Sequence, residues 1–232
     1  MKRDKPHPNL FIEKGSSVKK SREYILEKVK AQLGEVDHNS ARERLSNPKG
    51  FKPSTSNFGD VPLGDIFFTR VKKSYATIER VGTMNEASLT ISKYLQDKDV
   101  GCEVVVPWKK GLEDLNYDSL IHRQVQSGDT CVLTSCELAV AETGTLLAHS
   151  SANLNISSLY LADHHIIIVR PEQLIAGLED IWPHYRGLAQ KSNQGLPRSI
   201  NWLTGPSMSA DIEKKLTLGV HGPISMHIIL LG

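Results

Sequence analysis

Asp163-His164-His165-Ile166-Ile167-Ile168-Val169-Arg170-Pro171 decides the fold class. Its centre is a short, wholly apolar, wholly β-branched run. Such a run suits a strand covered on both faces, as in a parallel sheet, better than an amphipathic helix. Pro171 ends the run and predicts a helix opening at its first position and continuing to about Trp182. Toward the C-terminus, Ile200–Leu203 predicts a strand, Ala210–Lys215 a helix, and Met226–Leu231 a final buried strand. Toward the N-terminus, Cys131–Ser135 reads as a short strand or as a turn near a helix start, and Leu138–Glu142 and Thr145–Ala148 predict consecutive strands broken by Gly144. Glu103–Val106 predicts a strand ended by Pro107, and Leu115–Ile121 a short strand or turn. Helices are expected over Ile66–Tyr75 and Glu86–Gln96. Strands alternating with helices place the chain in the α/β class with a mainly parallel sheet.

Before residue 65 the rhythm differs. Residues 1–15 carry Pro6 and Pro8 among charges and predict a loose arm. Val18, Tyr24, Ile25, Leu26, Val29 and Leu33 recur near helical spacing and predict a helix over 16–33, closed by Gly34. Pro48, Pro53 and Pro62, with three glycines, make 46–64 an irregular linker. The expected division is a helical arm and linker over 1–64 and an α/β domain over 65–232.

With 232 residues, 39% hydrophobic and 23% charged, the chain has the composition of a globular protein with one large core. A formal net charge of +2 gives no reason to expect nucleic acid as a partner. The basic first thirty residues read as a solvated helical face or as a docking arm for an acidic partner. No apolar run approaches the roughly 20 residues of a spanning helix, and no secretory signal is apparent, so the cytoplasm is the expected compartment. Three widely spaced cysteines, Cys102, Cys131 and Cys136, argue against a disulfide framework and are too few for a four-thiolate iron–sulfur site. No G-x-G-x-x-G, P-loop, G-x-S-x-G, H-E-x-x-H or C-x-x-C occurs.

Four segments carry candidate chemistry. In Ala141-Glu142-Thr143-Gly144-Thr145, an acid stands at the end of an apolar strand. It is a candidate base, nucleophile or ligand anchor, or else it satisfies backbone N–H groups in a turn. Thr143 and Thr145 are hydroxyl donors, and Gly144 permits the turn. Thr204-Gly205-Pro206-Ser207-Met208-Ser209-Ala210-Asp211-Ile212-Glu213 reads as strand, turn and helix start. Ligands bind beyond the C-terminal ends of parallel strands, so Gly205, Pro206, Ser207 and Ser209 become candidate ligand contacts. Asp211 and Glu213 fall in the expected first helical turn, where acids also suit the dipole for purely structural reasons. In Gly219-Val220-His221-Gly222-Pro223, His221 is a candidate acid–base residue and Gly222 lets backbone approach a ligand. In Asp163-His164-His165, adjacent histidines on a strand point to opposite faces, so no metal site is expected, though His165 can join a ligand site.

Taken jointly and in order, Ala141–Thr145, His165, Gly205–Glu213 and Gly219–Pro223 resemble the LUD (lactate utilisation domain) family, of its protein C type, from about residue 130 to the end. Met208-Ser209 stands where many members carry Arg-Thr, and Asp163-His164 where a proline pair is common. The resemblance implies a three-layer α/β/α fold similar to the NagB/RpiA/CoA-transferase-like superfamily, with a helical N-terminal extension. It implies a place in oxidation of L-lactate to pyruvate beside two iron–sulfur lactate utilisation proteins, with the clusters in those partners and no cofactor on this chain. Were the chain itself an enzyme, Glu142, Asp211 and His221 would be its working residues. A small carboxylate or phosphate ligand and a homodimer fit the same picture. A stand-alone enzyme on a small carboxylate, CoA ester or phosphosugar, and a ligand sensor of the same pathway, are the alternatives.

Overall fold

In the computed structural model, residues 17–33, 39, 56–191, 195–212 and 215–232 are described. Side chains of 17–20 and 210–216 lie outside that description, as does Gly34, the expected helix cap. The chain divides into two compact units, 1–52 and 53–232. Helix α1, Ser17–Leu33, belongs to the first and matches the helix read from its apolar spacing.

The second unit is α/β. Its described elements begin with α2 (Leu63–Val71), β1 (Thr77–Val81), α3 (Met84–Asp97), β2 (Val104–Val105), β3 (Leu120–Ile121), β4 (Cys131–Ser135), β5 (Leu138–Val140) and β6 (Thr145–His149). They continue with β7 (His164–Val169), β8 (Leu174–Ile175), α4 (Ile181–Lys191), β9 (Ile200–Leu203), β10 (Met208–Ile212), β11 (Lys215–Leu218) and β12 (Ser225–Leu231). Six strands in the order β1-β12-β7-β4-β2-β3 form one sheet, parallel at every pairing. The Ile166–Val169 run lies near its centre, between β12 and β4, as a strand covered on both faces must.

Alternation along β7 and β12 splits their side chains between two cores. Ile166, Ile168, Ile229 and Leu231 pack with Ala87, Ile91 and Leu95 of α3. Ile167, Val169, Ile228 and Leu230 face the other way, onto Phe67 and Val71 of α2. That second face also meets a four-stranded sheet, β8-β5-β6-β9, through Ala139, Leu146, Ala148 and Leu203. The outer face of this smaller sheet buries Leu138, Val140 and Leu147 against Ile181 and Tyr185 of α4.

Two expected helices are absent from their expected places among the described residues. After Pro171 the chain makes a single 3-10 turn, capped by the Gln173 side chain, which accepts the Arg170 N–H (2.7 Å), and the turn ends because Leu174–Ile175 pair with β5. The α-helix starts only at Ile181. The expected helix near 210–215 is replaced by the antiparallel hairpin β10–β11, with Met208 opposite Leu218 and Ser209 opposite Thr217. The helix-dipole argument for Asp211 and Glu213 therefore lapses. Among the described residues, no helix is long and apolar enough to cross a membrane.

Candidate functional site

Because β2, β4 and β7 are parallel neighbours, they end on one edge of the large sheet, and the residues that follow them meet there. Lys110 lies in the segment after β2, Glu137 follows β4 by two residues, and Arg170 follows β7 directly. Glu137 sits where the chain leaves the large sheet for the small one, and its N–H donates to the Leu147 carbonyl (2.7 Å). Only 7% of its side chain is exposed, so its charge needs partners. Lys110 Nζ lies 2.8 Å from Oε2 and His184 Nε2, from α4, 2.9 Å from Oε1. Burial pushes the Glu137 carboxyl up, but the bonds to Lys110 and His184 outweigh it and hold the group below the usual carboxylate range.

His149, at the end of β6, completes the cluster. Its Nδ1 is 3.4 Å from the Tyr185 hydroxyl and 4.0 Å from Glu137 Oε2. Burial pushes its pKa down against the pull of Glu137, and burial pushes the Tyr185 phenol up. At neutral pH the arrangement is thus a carboxylate, an ammonium, a neutral imidazole and a protonated phenol. It can bind an anion or move a proton to or from a ligand. Lys110 also spans the Trp108 ring at 5.3 Å. These side chains border a cleft of about 590 Å³, and two adjoining hollows of about 440 and 610 Å³ also have Lys110 in their walls. The Arg170 guanidinium braces one of them by donating to Gly111 O (3.2 Å) and Asp114 (3.3 Å). Among the described residues, no group of three His, Cys, Asp or Glu is arranged to hold a metal.

The motif residues lie elsewhere. The turn between β5 and β6 packs on the end of α2: Gly144 has φ +72°, and a Cβ there would stand 3.0 Å from the Val71 nitrogen. Thr143 Oγ1 donates to Thr145 Oγ1 (2.7 Å), which bonds Thr204 Oγ1 (2.8 Å). Gly205 follows at φ +105°, where a Cβ would collide with the Ser74 carbonyl just ahead of β1. Pro206 is buried. Ser207 donates its N–H to Pro223 O (2.9 Å) and accepts the His221 N–H (3.3 Å). Gly222 packs on Ser207 and Tyr160, His221 is exposed, and Ser209 lies on β10. Gly205, Ser207, His221 and Gly222 thus gather near the starts of β1 and β12, at the N-terminal edge of the large sheet. Glu142 is bound apart from them: its Oε2 accepts the Leu178 N–H (3.2 Å). His165 is fully buried within the sheet, with Nε2 2.8 Å from Thr134 Oγ1 and Nδ1 unpartnered, and burial pushes its pKa down to about 3. The side chains of Asp211 and Glu213 lie outside the described residues.

The expectation of a ligand beyond Ile200–Leu203 rests on the rule for parallel strand ends. That strand, β9, pairs antiparallel with β6 in the small sheet, so the rule has no purchase there. Applied to Cys131–Ser135 and Ile166–Val169, it would have found Glu137 and Arg170.

The LUD domain family matches residues 118–231. The chain is similar to "Lactate utilization protein C" of Deinococcus radiodurans, 32% identical over 132 residues that cover 56% of this chain and 59% of that protein. The same-named protein of Bacillus subtilis is 36% identical over 101 residues, 43% of this chain and 41% of that protein. That of Shouchella clausii is 35% identical over 99 residues, 43% and 42% of the two chains. The chain thus spans about half the length of the curated relatives it matches. A crystal structure of a duf162 family protein from Deinococcus radiodurans shares the fold, with a TM-score of 0.54 over 73% of this chain and 96% of that one, at 21% identity. The parallel sheet and the ordered motif segments agree with these likenesses: over residues 118–231 the chain matches the LUD domain family.

Proposed function

We propose that the chain acts in lactate utilisation as an accessory subunit that carries no cluster of its own, beside two iron–sulfur proteins in the cytoplasm. The observation that carries this reading is where the thiols stand. Cys131 is buried between the large sheet and α3, Cys136 is buried on the opposite face, and Cys102 is exposed. Burial pushes the Cys131 thiol up to about 12 and Cys136 up as well, which suits packing and opposes metal ligation. The three cannot converge on one cluster, so electrons passing to or from lactate would travel through clusters in partner proteins. The names of the relatives support the pathway.

The test is growth and capture in the native host. Deleting the gene should abolish growth on L-lactate while sparing growth on pyruvate. The full chain, tagged and expressed from its own locus, should retain two iron-containing proteins. Wild-type growth on lactate after deletion, or capture of no iron-containing protein, would remove this reading.

The cleft around Glu137 favours a second reading, a stand-alone enzyme on a small carboxylate, CoA ester or phosphosugar. Turnover by the purified chain alone would distinguish it from the accessory subunit. Saturable lactate or pyruvate binding without turnover would instead mark a sensor.

A further inference from the structure

We propose that the cleft walled by Lys110, His149 and Arg198 is a binding site for a small molecule bearing an oxyanion, carboxylate or phosphate, on an apolar body. The proposal uses only the side chains of the cleft and stands apart from the pathway reading.

The first argument is hydrogen-bond polarity. Ser150 and Ser151 line the cleft, and each hydroxyl oxygen already accepts backbone N–H groups: Ser150 from Ser199 (3.0 Å), Ser151 from Leu154 (3.1 Å). Their O–H protons remain for a ligand. Lys110 and Arg198 can only donate. Tyr185 keeps its phenolic proton, since burial pushes its pKa up, and its hydroxyl lies 3.4 Å from His149 Nδ1. Where the phenol donates in this pair, the accepting tautomer carries its N–H on Nε2 and His149 adds a donor to the wall it lines. A wall composed of donors selects an acceptor-rich ligand, and carboxylate and phosphate are the acceptor-rich groups of metabolites.

The second argument is charge. Glu137 is the one acid in the wall among the described residues, and both its oxygens are occupied, by His184 and Lys110. Lys110 and Arg198 together exceed it by one positive charge. Arg198 is exposed and makes no ion pair among the described residues, so its guanidinium is available for a bidentate contact. The third argument is size. A cleft of about 590 Å³ exceeds a bare ion, and Leu188 and Leu196 supply apolar wall for the rest of a ligand.

Thermal unfolding and calorimetric titration of the full chain at low salt test this with four probes: inorganic phosphate, phenyl phosphate, pyruvate and phenylpyruvate. At least one should raise Tm and bind saturably, and the better arm, phosphate or carboxylate, identifies the source of the oxyanion. The phenyl member of that arm should bind more tightly than the bare one. Arg198→Ala should weaken binding about tenfold or more, and Lys110→Met likewise, whereas Lys93→Ala on α3 should leave it unchanged. Lys110→Met also strips a partner from Glu137, so the exposed Arg198 is the decisive position. Failure of all four probes at millimolar concentration, or equal binding by wild type and Arg198→Ala, overturns the proposal. Stabilisation by Zn2+ alone, lost in His184→Ala, overturns it in favour of a metal site.

Discussion

Glu137 is a buried charge matched on both oxygens, and the cost of unmatching it can be stated. Glu137→Gln keeps the shape but removes the charge that draws Lys110 and His184 together. Charge-assisted bonds contribute about 1.5–3 kcal/mol each, and Lys110 is half exposed and recovers water, so a loss of about 2 kcal/mol is expected in urea unfolding at pH 7. A variant as stable as wild type would mean that the pair holds nothing together. Gly205 is rigid for a different reason. Its φ of +105° disfavours any side chain and a Cβ there would collide with the Ser74 carbonyl, so Gly205→Ala should cost more than about 2 kcal/mol by the same assay. Gly144 and Gly205 were legible as turns because a glycine's need is local. Glu137 was not, because its partners stand 27 and 47 residues away and no spacing announces them.

Among elements, α3 shows the local rules at work. Thr83 accepts the Glu86 N–H on its hydroxyl (3.2 Å), and Glu86 reaches back to the Gly82 N–H (2.9 Å). One face then buries Ala87, Ile91, Tyr94 and Leu95. Thr83→Ala should therefore lower stability by about 1 kcal/mol, with Thr83→Ser close to wild type; equal stability of the alanine variant would show the cap to be idle. Such an element is readable from sequence, and so are β7, β9 and β12, whose apolar runs need no partner to be seen, whereas Cys131–Ser135, open between strand and turn in the sequence, is the strand β4. β1 was missed because an edge strand buries only Ile78 and Val81 of its five residues. The hairpin β10–β11 was read as a helix because acids after a serine suit a helix start as well as a strand. The short 3-10 turn after Pro171 was read as a full helix because proline at a first position signals the start and says nothing of length.

At the scale of the molecule, the sequence reading supplied the α/β class and the parallel sheet but no second sheet, since β-branched runs do not say with which strand they pair. The same closely covered sheet encloses two histidines, and this makes stability depend on pH. His165 is fully buried and His227, stacked on Tyr94 at 4.6 Å, is 2% exposed; each keeps one ring nitrogen unpartnered. Burial pushes their pKa values down to about 3 and about 4, from the model-peptide value of 6.5 that holds in the unfolded chain. Between pH 6.5 and 4 the unfolded state binds more protons, so stability is complete above 6.5 and falls as the medium is acidified. At pH 5 each histidine should remove about 2 kcal/mol, some 4 kcal/mol together, and His149 and His164, also pushed down by burial, add in the same direction. Carboxylates held low, Asp129 by Arg123 and Glu137 by Lys110 and His184, lose their contribution only as pH falls through their own range below about 4.5, so the two windows separate. Urea unfolding at pH 7.5, 6, 5 and 4.5 measures the slope. The expected result is a steep fall between 6.5 and 5 that flattens in the double variant His165→Asn, His227→Asn, whose side chains do not titrate. A wild-type curve flat across that interval would show that these rings accept protons in place, and that the sheet opens to water around them.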